Sequence, residues 1–394
     1  MRILRGSFAL GFGEAVSKLA LFAFTAYFAR RVGLTELAHL SVAQSLLMYA
    51  TVLGDAGLTA HAVRRIAAGD SVRPVVRETS SVQLVLATIG LAIVVPISCM
   101  NAGVGMTMAL VLAPLGAAAS PTYLLQARGN MSALALGRVT SAVVTAGIGI
   151  AILSVTPTLF AAVAYSVGAL AAFLAIVWLS HDSLRSYFTS LTPKIRPHWM
   201  YASRWLIVQA LVVHAYASCL TIGGSYLLAE SEFVILSTAL RIQMLLLIPA
   251  NILQTVLLPL FIRHEYSIIR VFLVTVGASI FVPLVVFISG ESILEFVYGG
   301  DAGASAPTLM VLSLQIPLAY GATVVLTSLV AEGAYGRTTT FYVVALIVQI
   351  VSLIALARGG ATSSAISLFI SELLFLALLC ALRVSRRGRS NVSG

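Results

Sequence analysis

Charged side chains are scarce in this sequence. They make up 10% of its 394 residues, whereas 59% of the residues are hydrophobic and the mean hydropathy is +1.01. A soluble domain usually carries about 25% charged residues, so this composition excludes a soluble globular protein. Apolar stretches near the length of about 20 residues that crosses the hydrocarbon core recur along the chain. Backbone groups in a bilayer must be hydrogen-bonded within their own segment, so we expect an all-α integral membrane protein.

Cysteine is nearly absent as well. The three cysteines, Cys99, Cys219 and Cys380, lie inside or at the ends of apolar runs. An odd and scattered set of this kind argues against a disulfide framework and against a metal site. We therefore expect no metal ion.

Twelve transmembrane spans are predicted from the apolar runs. Pro114 and Pro121 in the fourth span, and Pro249 and Pro259 in the eighth, predict kinks, because proline removes a helix hydrogen bond. The first run follows Arg2 and continues without a clear cleavage site, so it predicts a retained span rather than a signal peptide. The predicted spans are 7–29, 38–61, 80–100, 105–126, 132–154, 158–180, 202–228, 233–261, 268–290, 306–331, 338–357 and 361–382.

The distribution of Lys and Arg orients these spans. With the N-terminus in the cytoplasm, the outside connections hold only Arg30, Arg31 and Arg358, and the inside connections hold most of the 24 basic residues. This asymmetry obeys the positive-inside rule and predicts that both termini are cytoplasmic. It also accounts for the net charge of +10, so we expect no nucleic-acid partner.

The chain divides into two halves of six spans at its longest connection, 181–200. We predict an N-terminal lobe at 1–180, a cytoplasmic linker at 181–200, a C-terminal lobe at 201–382 and a basic cytoplasmic tail at 383–394. Both halves have the same orientation, as in transporters built from parallel repeats. A weak internal repeat supports the division, because Glu36, Leu40, Ser41 and Ala43 recur with the same spacing as Glu232, Leu236, Ser237 and Ala239.

Four stretches carry a resemblance to a known family. They are Ala29-Arg30-Arg31-Val32-Gly33; Gly54-Asp55-Ala56-Gly57-Leu58 followed by Arg64-Arg65; Ser237-Thr238-Ala239-Leu240-Arg241 followed by Ile248-Pro249 and Leu258-Pro259; and Phe296-Val297-Tyr298-Gly299 followed by Ala306-Pro307 and Leu309. With them the chain resembles the polysaccharide flippases, the O-antigen and exopolysaccharide branch of the multidrug/oligosaccharidyl-lipid/polysaccharide exporter superfamily.

The resemblance implies a fold and a transport function. The implied fold has two six-helix lobes around a central cavity that opens to one side of the membrane and then to the other. The implied substrate is an undecaprenyl-pyrophosphate-linked oligosaccharide, moved from the cytoplasmic to the outer leaflet. The implied partners are this lipid-linked sugar, membrane lipid and other polysaccharide-assembly proteins. The implied protein is a monomer of the bacterial inner membrane that is not an enzyme and needs no cofactor. Coupling to H⁺ or Na⁺ is left open.

A pyrophosphate headgroup requires cations inside the membrane, where ionisable residues are costly and mark functional sites. Arg241 lies well inside the eighth span, it matches an arginine of the family motif, and its guanidinium suits a phosphate. We predict that Arg241, Arg138, Lys18 and Arg204 bind the substrate. For Arg241 the alternative is a structural ion pair between helices. For Arg138 and Arg204 it is a side chain that extends to the cytoplasmic surface.

Two acidic residues in the N-terminal half are candidates for ion coupling or gating. Glu14 and Lys18 are one helical turn apart, in the favourable order for an ion pair. That pair either opens when a phosphate or a proton competes, or it supports helix packing. Asp55, within reach of Arg64 and Arg65, either holds the inner end of the second span or contacts substrate or ion.

Two residues of the C-terminal half are further candidates for ion coupling. Glu372 lies near the middle of the twelfth span, where desolvation favours a bound proton. The alternative is an ion pair with an arginine of another span. His214 in the seventh span is either a packed, hydrogen-bonded histidine or a proton carrier.

Three other functions are alternatives to that of a flippase. A drug or cation antiporter of the same superfamily would have the same fold, but the bases within the spans favour an anion. A glycan polymerase or transferase would need a larger loop than 181–200 for its catalytic groups. A major-facilitator carrier would need an Asp-Arg-x-Gly-Arg-Arg-like signature, which the segment from Gly54 to Arg65 does not match.

Overall fold

The computed structural model describes residues 2–55, 57–67, 69–156, 158–180, 198–262, 267–332 and 334–390. In these segments every regular element is helical. The side chain of the predicted site residue Arg204 lies outside the description, and so does the predicted linker from 181 to 197. Contacts divide the chain into two compact units, Met1–His214 and Ala215–Gly394. This division falls inside one helix, so the predicted lobe boundaries stay a prediction.

The first unit contains nine helices and the start of a tenth. They are α1 (Arg2–Val32), α2 (Leu34–Asp55), α3 (Leu58–Ala67), α4 (Val72–Ala102), α5 (Val104–Leu110), α6 (Leu112–Ala119), α7 (Thr122–Ala127), α8 (Met131–Val155), α9 (Val163–Leu179) and α10 (His198–Leu227).

The second unit contains the rest of α10 and eight further helices. They are α11 (Glu230–Leu246), α12 (Ile248–Ile262), α13 (Ile268–Ser279), α14 (Phe281–Tyr298), α15 (Ala306–Leu314), α16 (Ile316–Ala331), α17 (Tyr335–Leu356) and α18 (Gly360–Ser390). Helix α18 continues through the first part of the predicted basic tail, 383–390, and residues 391–394 lie outside the description.

Ten helical stretches of the described residues are long and apolar enough to cross a membrane. The last of them, Gly336–Ser385, holds most of two helices, α17 and α18. The first predicted span lies in α1, which has 31 residues and is not among the ten. The prediction of an all-helical, multi-pass membrane fold is confirmed, and the count of twelve crossings stays a prediction.

Proline accounts for the breaks in four of the long helical stretches. Pro114, Pro249, Pro283 and Pro317 each lie two or three residues after a break, at Val111, Leu247, Ile280 and Gln315. Each proline lacks the N–H that would bond to the carbonyl four residues earlier, so the helix restarts there. The breaks in the predicted fourth and eighth spans were expected, whereas those at Ile280 and Gln315 were not.

Close contact between α1 and α8 shapes the first unit. A Cβ built on Gly13 of α1 would lie 2.8 Å from the Ala135 Cβ of α8, so the two backbones nearly touch. Further along the same pair, Gly149 of α8 accommodates the ring of Phe24. Small residues at a crossing permit this approach in membrane helices. The side chains next to the crossing are thereby held at fixed distances across the two helices.

The helix pairs of the second unit are joined by apolar packing and by one polar cap. Helix α12 packs on α16 through Leu257, Phe261 and Val324. At the start of α18 the Glu232 carboxylate of α11 accepts a hydrogen bond of 2.7 Å from the Ala361 N–H. A carboxylate at a helix N-terminus satisfies an otherwise unpaired backbone donor.

Candidate substrate and ion sites

Three predicted site residues of the first unit form one charged cluster. Lys18 Nζ lies 3.2 Å from Glu14 Oε1, and Arg138 Nη1 lies 3.5 Å from Glu14 Oε2. The carboxylate is shared by two bases, so the cluster carries a net charge of +1. The side chains of Lys18 and Arg138 are 36% and 45% exposed in this structure, which leaves both bases accessible to a ligand. We call these three residues the α1–α8 charge cluster.

Local helix geometry explains why the α1–α8 charge cluster forms. Glu14 and Lys18 are four residues apart on α1 and therefore share a face. Arg138 lies on α8 one turn after Ala135, the residue against which Gly13 packs. The near contact of the two backbones brings the Arg138 guanidinium within reach of Glu14. The sequence predicted the Glu14–Lys18 pair but not its extension to Arg138.

Arg241 belongs to the second unit. It lies on α11, on a helix whose preceding residues Ser237–Leu240 are all buried, and its own side chain is half-buried. The phenolic group of Tyr298, at the end of α14, is close enough for an electrostatic interaction with the Arg241 guanidinium. Arg241 therefore lies beside a residue of the outer-loop motif that the sequence had singled out separately.

Glu372 is buried in the second unit and is held by neutral donors. The Tyr216 hydroxyl of α10 donates a hydrogen bond of 2.6 Å to Glu372 Oε2, and Gln315 also bonds to this carboxylate. Gln315 in turn accepts a hydrogen bond from the Gln243 amide of α11. A buried carboxylate whose partners are a hydroxyl and an amide can hold a proton or a cation without breaking an ion pair.

Aromatic rings pack around the Glu372 carboxylate. The ring of Tyr216 lies 5.9 Å from that of Tyr342, and the ring of Tyr342 lies 4.3 Å from that of Phe375. Tyr342 is also close enough for an electrostatic interaction with the Glu372 carboxylate. Sequence reasoning did not identify Tyr216, Gln315 or Gln243 as its partners. The one signal for them is the presence of polar residues within apolar spans.

Asp55 contacts helix α4 in the first unit. Asp55 is exposed at the end of α2, where its Oδ1 accepts a hydrogen bond of 3.5 Å from the Gln83 amide of α4. Arg65 pairs with Asp70 at 2.6 Å and with Glu78 at 2.8 Å.

His214 is a hydrogen-bonded histidine packed against an aromatic ring. Its Nε2 lies 3.0 Å from the Ser45 carbonyl oxygen, and its ring lies 4.4 Å from that of Tyr49 in an edge arrangement. These contacts agree with a packed, hydrogen-bonded histidine, and a proton-carrying role for His214 stays a prediction. Among the residues that the structure describes, no group of three His, Cys, Asp or Glu side chains is placed to hold a metal ion.

Comparisons with known proteins define the fold class. The chain is similar to an inward-facing multidrug resistance MATE family transporter of the MOP superfamily, with a TM-score of 0.76, 11% identity, and coverage of 94% of this chain and 96% of that one. It is similar to the lipid II flippase MurJ in an inward closed conformation, with a TM-score of 0.69, 14% identity, and coverage of 95% and 86%. No protein-family model and no curated protein matches the chain.

A third similar structure is a MATE protein in complex with MaL6, with a TM-score of 0.67, 15% identity, and coverage of 98% of this chain and 97% of that one. The class of the molecule is therefore a multi-pass helical membrane protein. More particularly, it has the fold shared by MATE transporters and the flippase MurJ.

Proposed function

We propose that this protein is a flippase that moves an undecaprenyl-pyrophosphate-linked oligosaccharide from the cytoplasmic to the outer leaflet by alternating access. The single observation that carries the proposal is the α1–α8 charge cluster, in which two accessible bases share one carboxylate within two helices of a transporter fold. A pyrophosphate offers several oxygens and more than one negative charge. It therefore competes with Glu14 for both bases at once.

The chemistry of the bases favours an anionic headgroup. Arg138 presents a planar fork that matches phosphate oxygens, and Lys18 supplies a compact point charge. Moving such a headgroup through hydrocarbon without partners is prohibitive, so a transport path for it needs groups of this kind. Because the bases are held by one shared carboxylate, exchange from Glu14 to phosphate requires only local side-chain movement.

Arg241 is proposed as a second contact for the headgroup. Its half-buried guanidinium lies close enough to Tyr298 for an electrostatic interaction. Arg204 is proposed as a further base from its position in the sequence alone. Glu372, Glu14, Asp55 and His214 are proposed as ion-coupling or gating residues, with H⁺ or Na⁺ as the driving ion.

A second function, a cation-coupled drug antiporter, has its own support. Two of the similar structures are MATE proteins, one of them a multidrug resistance transporter. The buried Glu372 carboxylate, with no basic side chain among its described hydrogen-bond partners, suits cation exchange. The α1–α8 charge cluster, with its excess of bases, favours the flippase over this antiporter.

One experiment separates the two functions. Cells that lack the protein are complemented with the wild type, with Arg138→Gln or with Arg270→Gln. Arg270 is an exposed arginine of α13, and its substitution is the matched control for Arg138→Gln. The flippase proposal expects a pyrophosphate-linked glycan to accumulate on the cytoplasmic face without the protein and with Arg138→Gln. If no lipid-linked glycan accumulates and the cells instead retain a cationic dye, the antiporter is the correct function.

A further inference from the structure

A run of buried polar side chains lies near the start of α4. Five of them are more than nine-tenths buried, and these are Glu78, Thr79, Ser80, Ser81 and Gln83. Two have clear partners, because Glu78 pairs with Arg65 and the Ser80 hydroxyl bonds to Tyr123. Two oxygens on one face, Thr79 Oγ1 and Gln83 Oε1, are buried without a hydrogen-bond partner. Buried polar oxygens without a partner are rare, so these two point to a ligand.

The Gln83 oxygen belongs to a side chain that bonds to residues on both sides of the connection between α2 and α3. Thr79 and Gln83 are four residues apart on α4, so they are neighbours on one face of the helix. The Gln83 amide nitrogen donates to Asp55 Oδ1 at 3.5 Å and to Thr59 Oγ1 at 3.3 Å. The amide thereby links α4 to the end of α2 and the start of α3. Asp55 is exposed and Thr59 is half-buried, so the group extends from solvent into the unit.

The chemistry of the group is that of a cation site. The Gln83 amide hydrogens face Asp55 and Thr59. The atoms that remain for a ligand are oxygens: the Asp55 carboxylate, the Gln83 side-chain carbonyl and the hydroxyls of Thr59 and Thr79. Oxygen ligands suit hard cations. With one carboxylate, a monovalent cation gives a neutral site, whereas a divalent cation would leave an uncompensated charge in a partly buried place. Arg65 of α3 is already paired with two carboxylates, Asp70 and Glu78, so it does not neutralise Asp55.

We propose that Asp55, Thr59, Thr79 and Gln83 form a binding site for a monovalent cation at the inner end of α2 and α4. The cation enters at the exposed Asp55 and is held by the buried oxygens of Thr79 and Gln83. Bound there, it fixes the α2–α3 turn against α4. This inference deepens the ion-coupling part of the proposed function, and it involves none of the bases assigned to the headgroup.

Purified protein tests the site directly. Thermal unfolding in detergent is measured in NaCl, in KCl and in choline chloride at equal ionic strength. Because a ligand that binds the folded state stabilises it, Na⁺ or K⁺ should raise the unfolding midpoint above that in choline, with saturation. Asp55→Asn and Gln83→Leu should each lower the apparent affinity for that cation at least 10-fold. Equal midpoints in all three salts would overturn the proposal.

Two controls keep the test decisive. Gln349→Leu removes another buried glutamine whose Oε1 has no hydrogen-bond partner, in α17, where no carboxylate is hydrogen-bonded to it. It should retain the full response to the cation. If Gln83→Leu does not fold, Thr79→Val takes its place. If Thr79→Val and Asp55→Asn both keep the wild-type affinity for ²²Na⁺, or for a cation that competes with it, the site is refuted.

Failure of this inference is distinguishable from failure of the flippase proposal. Arg138→Gln should lose binding of undecaprenyl pyrophosphate and keep the response to the cation. A protein that responds to the cation but never binds the lipid pyrophosphate would refute the flippase and leave the cation site standing. A protein that binds the lipid pyrophosphate without any response to the cation would refute the cation site and leave the flippase proposal standing.

Discussion

Arg138 Nη1 of α8 lies 3.5 Å from Glu14 Oε2 of α1, next to the close helix crossing of the first unit at Gly13. The same carboxylate holds Lys18 at 3.2 Å. One acid thus restrains two bases without cancelling their charge. At such partly exposed positions each ion pair contributes about 0–1 kcal/mol, so a doubly charged phosphate can displace the carboxylate at low cost. In the proposed flippase this arrangement lets the site bind an anionic headgroup and still release it.

Substitution of Glu14 tests whether its carboxylate competes with the substrate. Glu14→Gln removes the competing charge and leaves Lys18 and Arg138 free for the headgroup. We expect binding of undecaprenyl pyrophosphate to tighten by about 3- to 10-fold, the equivalent of about 0.7–1.4 kcal/mol, and release to slow. Titration of purified protein with the lipid measures the affinity, and turnover in vesicles measures release.

The control for Glu14 is Glu36→Gln. Glu36 on α2 is paired with His39 at 3.4 Å and has a similar exposure, but it lies outside the charge cluster. Its removal should leave the affinity unchanged. Unchanged or weaker binding in Glu14→Gln would show that the carboxylate supports the site instead of competing for it.

Substitution of Arg241 tests the second proposed contact. A charged hydrogen bond to phosphate contributes about 1.5–3 kcal/mol, so Arg241→Ala should weaken headgroup binding roughly 10- to 100-fold. Arg241→Lys keeps the charge and loses the fork, and should be partly active. Both variants should insert and fold. Translocation of the fluorescently labelled lipid in vesicles gives the rate, with Arg270→Ala as the arginine control. Full activity of Arg241→Ala would remove Arg241 from the transport path.

Much of the fold was predictable from the sequence because hydropathy and helix length are local properties. The predicted spans extend at most one residue beyond the observed helical stretches, and the breaks just before Pro114 and Pro249 each follow from one missing N–H. The additional breaks at Ile280 and Gln315 have the same cause, since Pro283 and Pro317 follow them. They were not predicted because the apolar runs around these prolines look continuous in the sequence.

The partners of the site residues were less predictable because they come from distant parts of the chain. The pair of Glu14 with Lys18 is one helical turn long and was read correctly from spacing. The contact of Glu14 with Arg138 depends on how closely Gly13 lets α8 approach α1. Likewise, nothing near Glu372 in the sequence indicates that Tyr216 is its donor.

A pair of glycine substitutions tests the packing that positions the charge cluster. A Cβ on Gly149 would collide with the ring of Phe24, which is fully buried and packed against Phe28 and Tyr165. Gly149→Ala should therefore destabilise the protein by about 1–3 kcal/mol. Gly147→Ala, two residues earlier on α8, meets open space and should be neutral or slightly stabilising. Thermal unfolding of the two variants in detergent makes the comparison. Equal midpoints would show that α1 and α8 do not pack as described.

Substitution of Glu372 separates a structural role from ion coupling. Glu372→Gln preserves shape and an acceptor for the Tyr216 hydroxyl, so stability should change by less than about 1 kcal/mol. Glu372→Leu removes the acceptor of the Gln315 amide and leaves the Tyr216 hydroxyl only its contact of 3.3 Å with the Ser371 hydroxyl. The cost is about 1–3 kcal/mol for each group that is left unpaired. The amide of Glu372→Gln takes up neither a proton nor a cation's charge. We therefore expect transport by this variant to lose its dependence on an imposed H⁺ or Na⁺ gradient in vesicles. Tyr216→Phe keeps the carboxylate and should retain that dependence. If Glu372→Gln responds to the gradient as the wild type does, Glu372 serves only to join α10 to α18, and the coupling ion binds elsewhere.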